Sequence, residues 1–227
     1  MTIEKGQPWG SAFDGEAPEL RAIDDADLAR LADEHAVSDQ QAVIAVGTGD
    51  VAATIGVDGV GLDPDPPMAR HHLYPMDLGY VSLGRRTGHA DRSVPFVSHV
   101  LGCRWPGPVS IRRSWRWPVP SPWPEVIVMN TPLAAGLRLG PRAHPNDGRL
   151  DVTVGSLPWR QTREAYRRAV SGSHLPHPCL DYRQRTEADF SADRPLGITI
   201  DGVDHGRWSW LSVRIAPDAY HLVARIA

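Results

Sequence analysis

Pro141 to Val152, read Pro-Arg-Ala-His-Pro-Asn-Asp-Gly-Arg-Leu-Asp-Val, constrains the fold more than any other stretch of this 227-residue chain. Pro141 and Pro145 fix φ and each remove a backbone donor, so the segment is not a helix interior. Asn146-Asp147-Gly148 is a turn signal, because these residues tolerate the positive φ of a tight turn. Leu150-Asp151-Val152-Thr153-Val154 then alternates apolar and polar, the period of a half-buried strand. The plain reading is a loop feeding a β-hairpin. The same punctuation recurs throughout: 21 Gly and 21 Pro, spread along the sequence, predict many turns and short strands.

Charge sets a limit on function. The chain has 24 basic and 27 acidic residues, a net charge of −3. That argues against a nucleic-acid binder driven by phosphate neutralisation. The basic residues are almost all Arg, which grips phosphate bidentately where Lys acts as a point charge. Two cysteines, Cys103 and Cys179, are too few for a disulfide framework. No apolar run approaches the ~20 residues of a membrane span, and no signal segment opens the chain. A cytoplasmic protein is expected. The Arg, Ala, Pro and Gly content suits a GC-rich bacterium.

Taken in order, the elements are mostly short. Trp9 is the one large anchor in a polar, turn-rich start. Asp24 to His35 reads as a helix, with Asp24 or Asp25 as N-cap and Leu28, Leu31 and Ala32 at helical spacing. Ala42 to Val46 is a buried strand. It runs into Gly47-Thr48-Gly49-Asp50, and Val51 to Ile55 reads as a short helix ending at Gly56. A strand, a Gly-rich turn and a helix start could cradle phosphate. They could equally be an ordinary strand-to-helix connection, and Asp50 would repel a phosphate unless a metal lay between. Residues 57–74 form a linker ending in His71-His72. Strands are predicted at 76–81, 95–103, 125–129 and 150–154, then at 182–190, 196–200, 208–215 and 220–226. Gln161 to Val170 is the one helix among them. Segment 104–124 interleaves Trp115 and Trp117 with Arg112, Arg113 and Arg116, a pattern of either cross-strand packing or a grip on an anionic headgroup. Many short strands with one helix argue for a β-sandwich.

The ten histidines offer no zinc site, since neither HExxH nor paired Cys/His spacing is present. A nucleophile elbow for a Ser-His-Asp hydrolase is also absent.

The wording of several segments is more specific than their period. Asn130-Thr-Pro, followed by Gly140 to Val152, resembles the C-terminal domain of the diacylglycerol and sphingosine kinase superfamily. There an Asn ends one strand, and a P-x-A-x-x-D-D-G-x-L-D-V stretch follows. Met76 to Val81 is similar to the strand by which that family enters its second domain. Gly47 to Gly56 resembles its second nucleotide loop, G-T-G-N-D-F-A-R-T-L-G, with the Asn missing and Ala53 in place of Arg. The family's G-G-D-G-T loop does not appear. About 40 residues precede Gly47, where the family's βαβ units would need roughly twice that.

The resemblance implies an α+β protein: a small truncated α/β lobe over residues 1–74 and a lipid-kinase-type antiparallel β-sandwich over 75–227. It implies Asp201, in Ile200-Asp201-Gly202-Val203, as the first acid of the family's D-G-E motif. Val203 stands where the Glu would be. Gly47, Thr48, Gly49 and Asp50 would bind ATP. A structural Mg²⁺ would be held by the Asp147 carboxylate and the backbone carbonyls of His144 and Arg149, a mixture Mg²⁺ accepts. Here Asn146 replaces the acid that often precedes this Asp. The expected function is a lipid-kinase-like phosphotransferase, degenerate and weak or inactive as a lone chain. The alternatives are a non-catalytic relative that binds a lipid, another small molecule or a partner, and a subunit whose nucleotide lobe comes from another chain. A homo-oligomer is compatible with each.

Overall fold

The computed structural model describes residues 9–13, 18–36, 42–56, 71–104 and 122–225. Three strands and two helices come first: β1 (Ser11–Phe13), β2 (Leu20–Ala22), α1 (Asp25–His35), β3 (Val43–Val46) and α2 (Asp50–Thr54). Then follow β4 (His71–Gly84), β5 (Arg92–Phe96), β6 (His99–Cys103), β7 (Val126–Met129) and β8 (Leu150–Gly155). The chain finishes with α3 (Trp159–Ala169), β9 (Leu180–Arg185), β10 (Glu187–Ile200) and β11 (Val203–Arg225). The Trp/Arg segment at 105–121 and most of the linker at 57–70 lie outside the described residues.

The strands run in the order β1-β4-β11-β10-β6-β7-β8-β9, with β5 beside β4 and with β3 joining β2 to β11. Among the described residues pairing is antiparallel except for β2–β3 and β3–β11. One core cluster gathers Val81 and Leu83 of β4, Phe96 of β5, Val100 of β6, Val128 of β7, Leu150 of β8 and Leu211 of β11. Strands far apart in that order share a core only because the sheet folds over on itself as a sandwich.

Alternation explains why the central strands are apolar at every position. Val100, Val126 and Val128 face the inside of the sandwich. Their neighbours Leu101, Ile127 and Met129 face the opposite way, under Ala165 and Ala169 of α3. Both faces are covered, so the sequence reads as an unbroken apolar run.

The same rule divides β4 and β11. On β4, Tyr74, Met76 and Leu78 pack with α1, α2 and β3, whereas Val81 and Leu83 pack inside the sandwich. On β11, Leu211, Val213 and Ile215 face the sandwich, and Tyr220, Leu222 and Ala224 face the helices. The two sets lie on opposite faces: even positions of both strands meet the helices and odd positions meet the sandwich, and the register shift between Ala216 and Tyr220 keeps that parity. Both strands therefore build both cores, and position 74 falls inside β4. Trp9 packs down as expected, its ring 4.8 Å from Tyr74 and 4.6 Å from His144.

Two expectations are corrected. The strand read over 95–103 is two strands, β5 and β6, broken at Val97-Ser98. His71 to Tyr74, read as the end of a linker, are the first residues of β4. Ahead of Gly47 the chain holds one βαβ unit, with β2 and β3 parallel and α1 between them, as a small truncated lobe would.

Candidate functional site

The βαβ unit brings the start of α1 against the Gly47–Asp50 loop. Asp24 is the N-cap, and its Oδ1 accepts from the Asp27 amide at 3.0 Å. Asp25 is then free to turn inward. Its Oδ2 accepts from the Asp50 amide at 2.7 Å and its Oδ1 from the Val51 amide at 3.2 Å. The carboxylate of α1 thus caps the orphan amides of α2. Gly49, at φ +126°, makes room for it: a Cβ there would stand 2.2 Å from Asp25 Oδ1. The remaining contacts close the loop onto β2. The Gly47 amide donates to the Ala22 carbonyl, and the Thr48 hydroxyl donates to the Ile23 carbonyl at 2.8 Å. Burial pushes Asp25 up to about 7, against the lowering effect of the Asp50 amide, with the Asp50 carboxylate adding to the rise.

Asp50 reaches from α2 to the sandwich. Its Oδ2 accepts from the Ala135 amide at 2.8 Å and lies 3.7 Å from His99 Nδ1. Burial pulls His99 down to about 4, only partly offset by Asp50. Ser98 Oγ lies 3.1 Å from the same His99 Nδ1 and 2.9 Å from Thr131 Oγ1. Asp50 and Ser98 thus meet one ring nitrogen, which is not the arrangement of a nucleophilic triad.

Asp201 forms the two-residue turn between β10 and β11. It and Gly202 have φ of +45° and +83°, as a type I′ hairpin requires. Its carboxylate accepts from the amides of Val97 at 2.8 Å, Ser98 at 3.0 Å and His99 at 2.8 Å. These bonds explain the break between β5 and β6, because the amides of the break turn to the carboxylate instead of a neighbouring strand. Burial holds Asp201 well above the ordinary range, with Asp25 contributing and the three amides opposing. Tyr220, fully buried, carries a hydroxyl without a hydrogen-bond partner among the described residues, and Asp25, Asp201 and Asp77 all raise its pKa after burial does. Val203 is 45% exposed, and Asp204 beside it accepts from the Gly206 amide.

Of the residues singled out in the sequence, Gly49, Asp50 and Asp201 come together here. Asp25, His99 and Tyr220 were missed. Asp25 carried no signal of its own, since an acid in the first turn of a helix is already favoured by the helix dipole.

Pro141–Val152 forms a second centre around Asp77, which is fully buried on β4. Asp77 Oδ2 accepts from the Gly148 amide at 2.7 Å and Oδ1 from the Asp218 amide at 2.9 Å. Asn146 Nδ2 donates to Asp218 Oδ1 at 2.8 Å. The loop is thereby tied to the bulge of β11. Burial raises Asp77 to about 6. Asp147 sits at the rim, and its Oδ1 accepts from the Arg149 amide at 2.9 Å. The His144 carbonyl accepts from the Asp147 amide at 3.3 Å. Burial, with Asp77 and Asp151 behind it, raises Asp147 to about 6.

The implied cofactors fit unequally. Asp147 with the carbonyls of His144 and Arg149 is a set of hard oxygens, and the crowding of acids behind Asp147 is what a cation relieves. Among the described residues no three His, Cys, Asp or Glu side chains gather as a metal group, so such an ion would depend on the carbonyls. ATP does not fit as the loop stands, because the Asp50 and Val51 amides are taken by Asp25.

Residues 123–224 match the family model of the YegS C-terminal NAD kinase β-sandwich-like domain. Two solved structures of candidate diacylglycerol kinases from Bacillus anthracis str. Sterne share the fold. One superposes with a TM-score of 0.60 at 14% identity, covering 89% of this chain and 75% of that one. The other gives 0.59 at 11% identity, covering 89% and 76%. No curated protein matches the chain. The resemblance to the lipid kinase superfamily, and the α+β fold with a large antiparallel sandwich that it implied, are borne out.

Proposed function

We propose that this chain is a lipid-kinase-type protein that binds a ligand or partner but does not turn over as a kinase by itself. The observation that carries this reading is the Asp25 carboxylate on the amides of Asp50 and Val51. Phosphoryl transfer is achieved by positioning and charge neutralisation. A nucleotide phosphate at this loop would need those amides, and it would meet the charges of Asp25 and Asp50 there. Helix starts favour anions, but this one is already met by an anion from α1.

The acceptor side is compromised in the same way. A carboxylate that orients a substrate hydroxyl must have a lone pair facing the substrate. Asp201 directs its oxygens to three amides of its own chain. Val203, in place of the second acid, accepts no proton. Losing one oriented acid or base commonly costs ~10² to 10⁴-fold in rate, and groups that act as a unit do not add.

In this reading a Mg²⁺ at Asp147, held with the carbonyls of His144 and Arg149, would fasten the Pro141–Val152 loop. It would supply charge neutralisation to the fold and not to a reaction.

The test is transfer of radiolabelled phosphate from ATP-Mg²⁺ to a panel of diacylglycerol, sphingosine and related lipids, alongside a thermal-shift titration with ATP-Mg²⁺. The expected result is neither transfer nor a nucleotide-dependent shift. Turnover on the order of 1 s⁻¹, as in working kinases, abolished in Asp201→Asn, would overturn the reading.

A further inference from the structure

Helix α3 carries chemistry that the centres around Asp25, Asp201 and Asp77 do not use. Its sequence holds Arg160, Arg163, Arg167 and Arg168 against one acid, Glu164. That local excess of positive charge stands on a chain whose net charge is −3. Thr162, Ala165 and Ala169 are the buried side of the helix. At about 100° per residue, Arg160, Arg163 and Arg167 project from the opposite side. Glu164 pairs with Arg167 and Arg168 at 2.9 and 3.0 Å. Arg160 lies 5.6 Å over the Trp159 ring.

Two apolar side chains accompany these arginines. Trp159 is 73% exposed and Val170, just past the end of the helix, is 64% exposed. By the same rotation they point within roughly 20° of each other and within roughly 40° of Arg163. They are the most exposed large apolar side chains among the described residues apart from Ile23.

We propose that the outer face of α3 docks on an anionic lipid surface. An indole with one polar atom favours the headgroup level of a bilayer. Arginines beside it are drawn to the negative surface potential. A helix that packs on the protein along one side, presents Arg on the far side and carries Trp159 and Val170 along the flank between them can lie in the interface plane. The apolar strip is too narrow to hold by itself, so attachment depends on charge and weakens as salt screens it. The inference concerns where the protein sits and is independent of what it turns over.

Sedimentation with vesicles tests it without any turnover. The wild-type chain should co-sediment with vesicles of equal parts phosphatidylglycerol and phosphatidylcholine, and not with phosphatidylcholine alone. Arg160→Gln with Arg163→Gln should weaken binding roughly fivefold for each arginine removed, the equivalent of ~1 kcal/mol apiece. Trp159→Ser should weaken it as well. These side chains are exposed, so the variants should melt like the wild type, which circular dichroism checks. Failure to bind the anionic vesicles, equal binding to both kinds, or binding unchanged in the double variant would overturn the proposal. So would displacement from the vesicles by a DNA duplex at the same salt, which would make α3 a nucleic-acid face.

Discussion

The Gly47–Asp50 loop and the Pro141–Val152 loop are both turns whose amides are met by a carboxylate from another element. Asp25, from the start of α1, holds the amides of Asp50 and Val51. Asp77, from the middle of β4, holds those of Gly148 and Asp218. What lies in front of the carboxylate differs. In the first loop nothing is spare: Gly49 leaves just enough room for Asp25, and Asp50 is itself engaged with Ala135. In the second, Asp77 does the holding from behind, and Asp147 remains half-exposed at the rim with one amide to satisfy. The acid that closes each turn is thus not the acid that its motif advertises. A seat for an anion is filled from within in one loop, while the other keeps an acid with which a cation could interact.

The tightness of the first loop gives the largest expected effect. Gly49→Ala would place a Cβ 2.2 Å from Asp25 Oδ1 at a φ of +126°. Strain at the backbone and loss of the Asp25 seat should together cost about 3 kcal/mol or more, read as a lower midpoint in urea denaturation. An unchanged midpoint would break the contrast, showing that the first loop is as accommodating as the second.

Protonation sharpens the comparison next. Asp25 rises from 3.8 to about 7 on folding. Between those values the folded chain keeps a proton that the unfolded chain releases. Its contribution is therefore full below about pH 4 and is lost as pH rises to about 7. His99, lowered to about 4, works in the opposite sense over pH 4 to 6.5. The wild-type curve alone mixes the two, but its difference from Asp25→Asn isolates the carboxylate. Relative to wild type, Asp25→Asn should gain stability between pH 4 and pH 8, by at most about 4 kcal/mol for a shift of this size. A difference independent of pH would mean that burial does not perturb Asp25.

These features show where the sequence was legible. The helix from Asp25 to His35, the short helix after Gly49 and the strands around Met129 and Val152 follow from period and capping, which are local properties. The break at Val97-Ser98 was not legible, because the carboxylate that causes it is more than a hundred residues away. The division of β4 between two cores was equally hidden, since its even and odd positions are buried against different partners and an alternating sequence does not say what covers each face. The resemblance drew attention to Asp147 and Asp201. Asp25 and Asp77 read as a helix cap and a strand residue, because their partners are amides, which every residue type supplies.

The smallest expected effect falls on Asp147, the spare acid of the second loop. Asp147→Ala strands one amide, that of Arg149, at a half-exposed rim. A single unsatisfied group of this kind costs about 1 kcal/mol, well below the cost at Gly49. The ordering itself is the check, made by measuring both variants in the same denaturant series. Mg²⁺ adds a second arm. If Asp147 and the carbonyls of His144 and Arg149 take up the ion, millimolar Mg²⁺ raises the melting temperature of the wild type, because a ligand bound only by the folded state stabilises it. The Asp147→Ala chain should show no such rise. Equal Mg²⁺ responses in the two proteins would remove the cation from the second loop, leaving Asp147 as a turn residue. The contrast between the loops would then reduce to how deeply each buries its carboxylate.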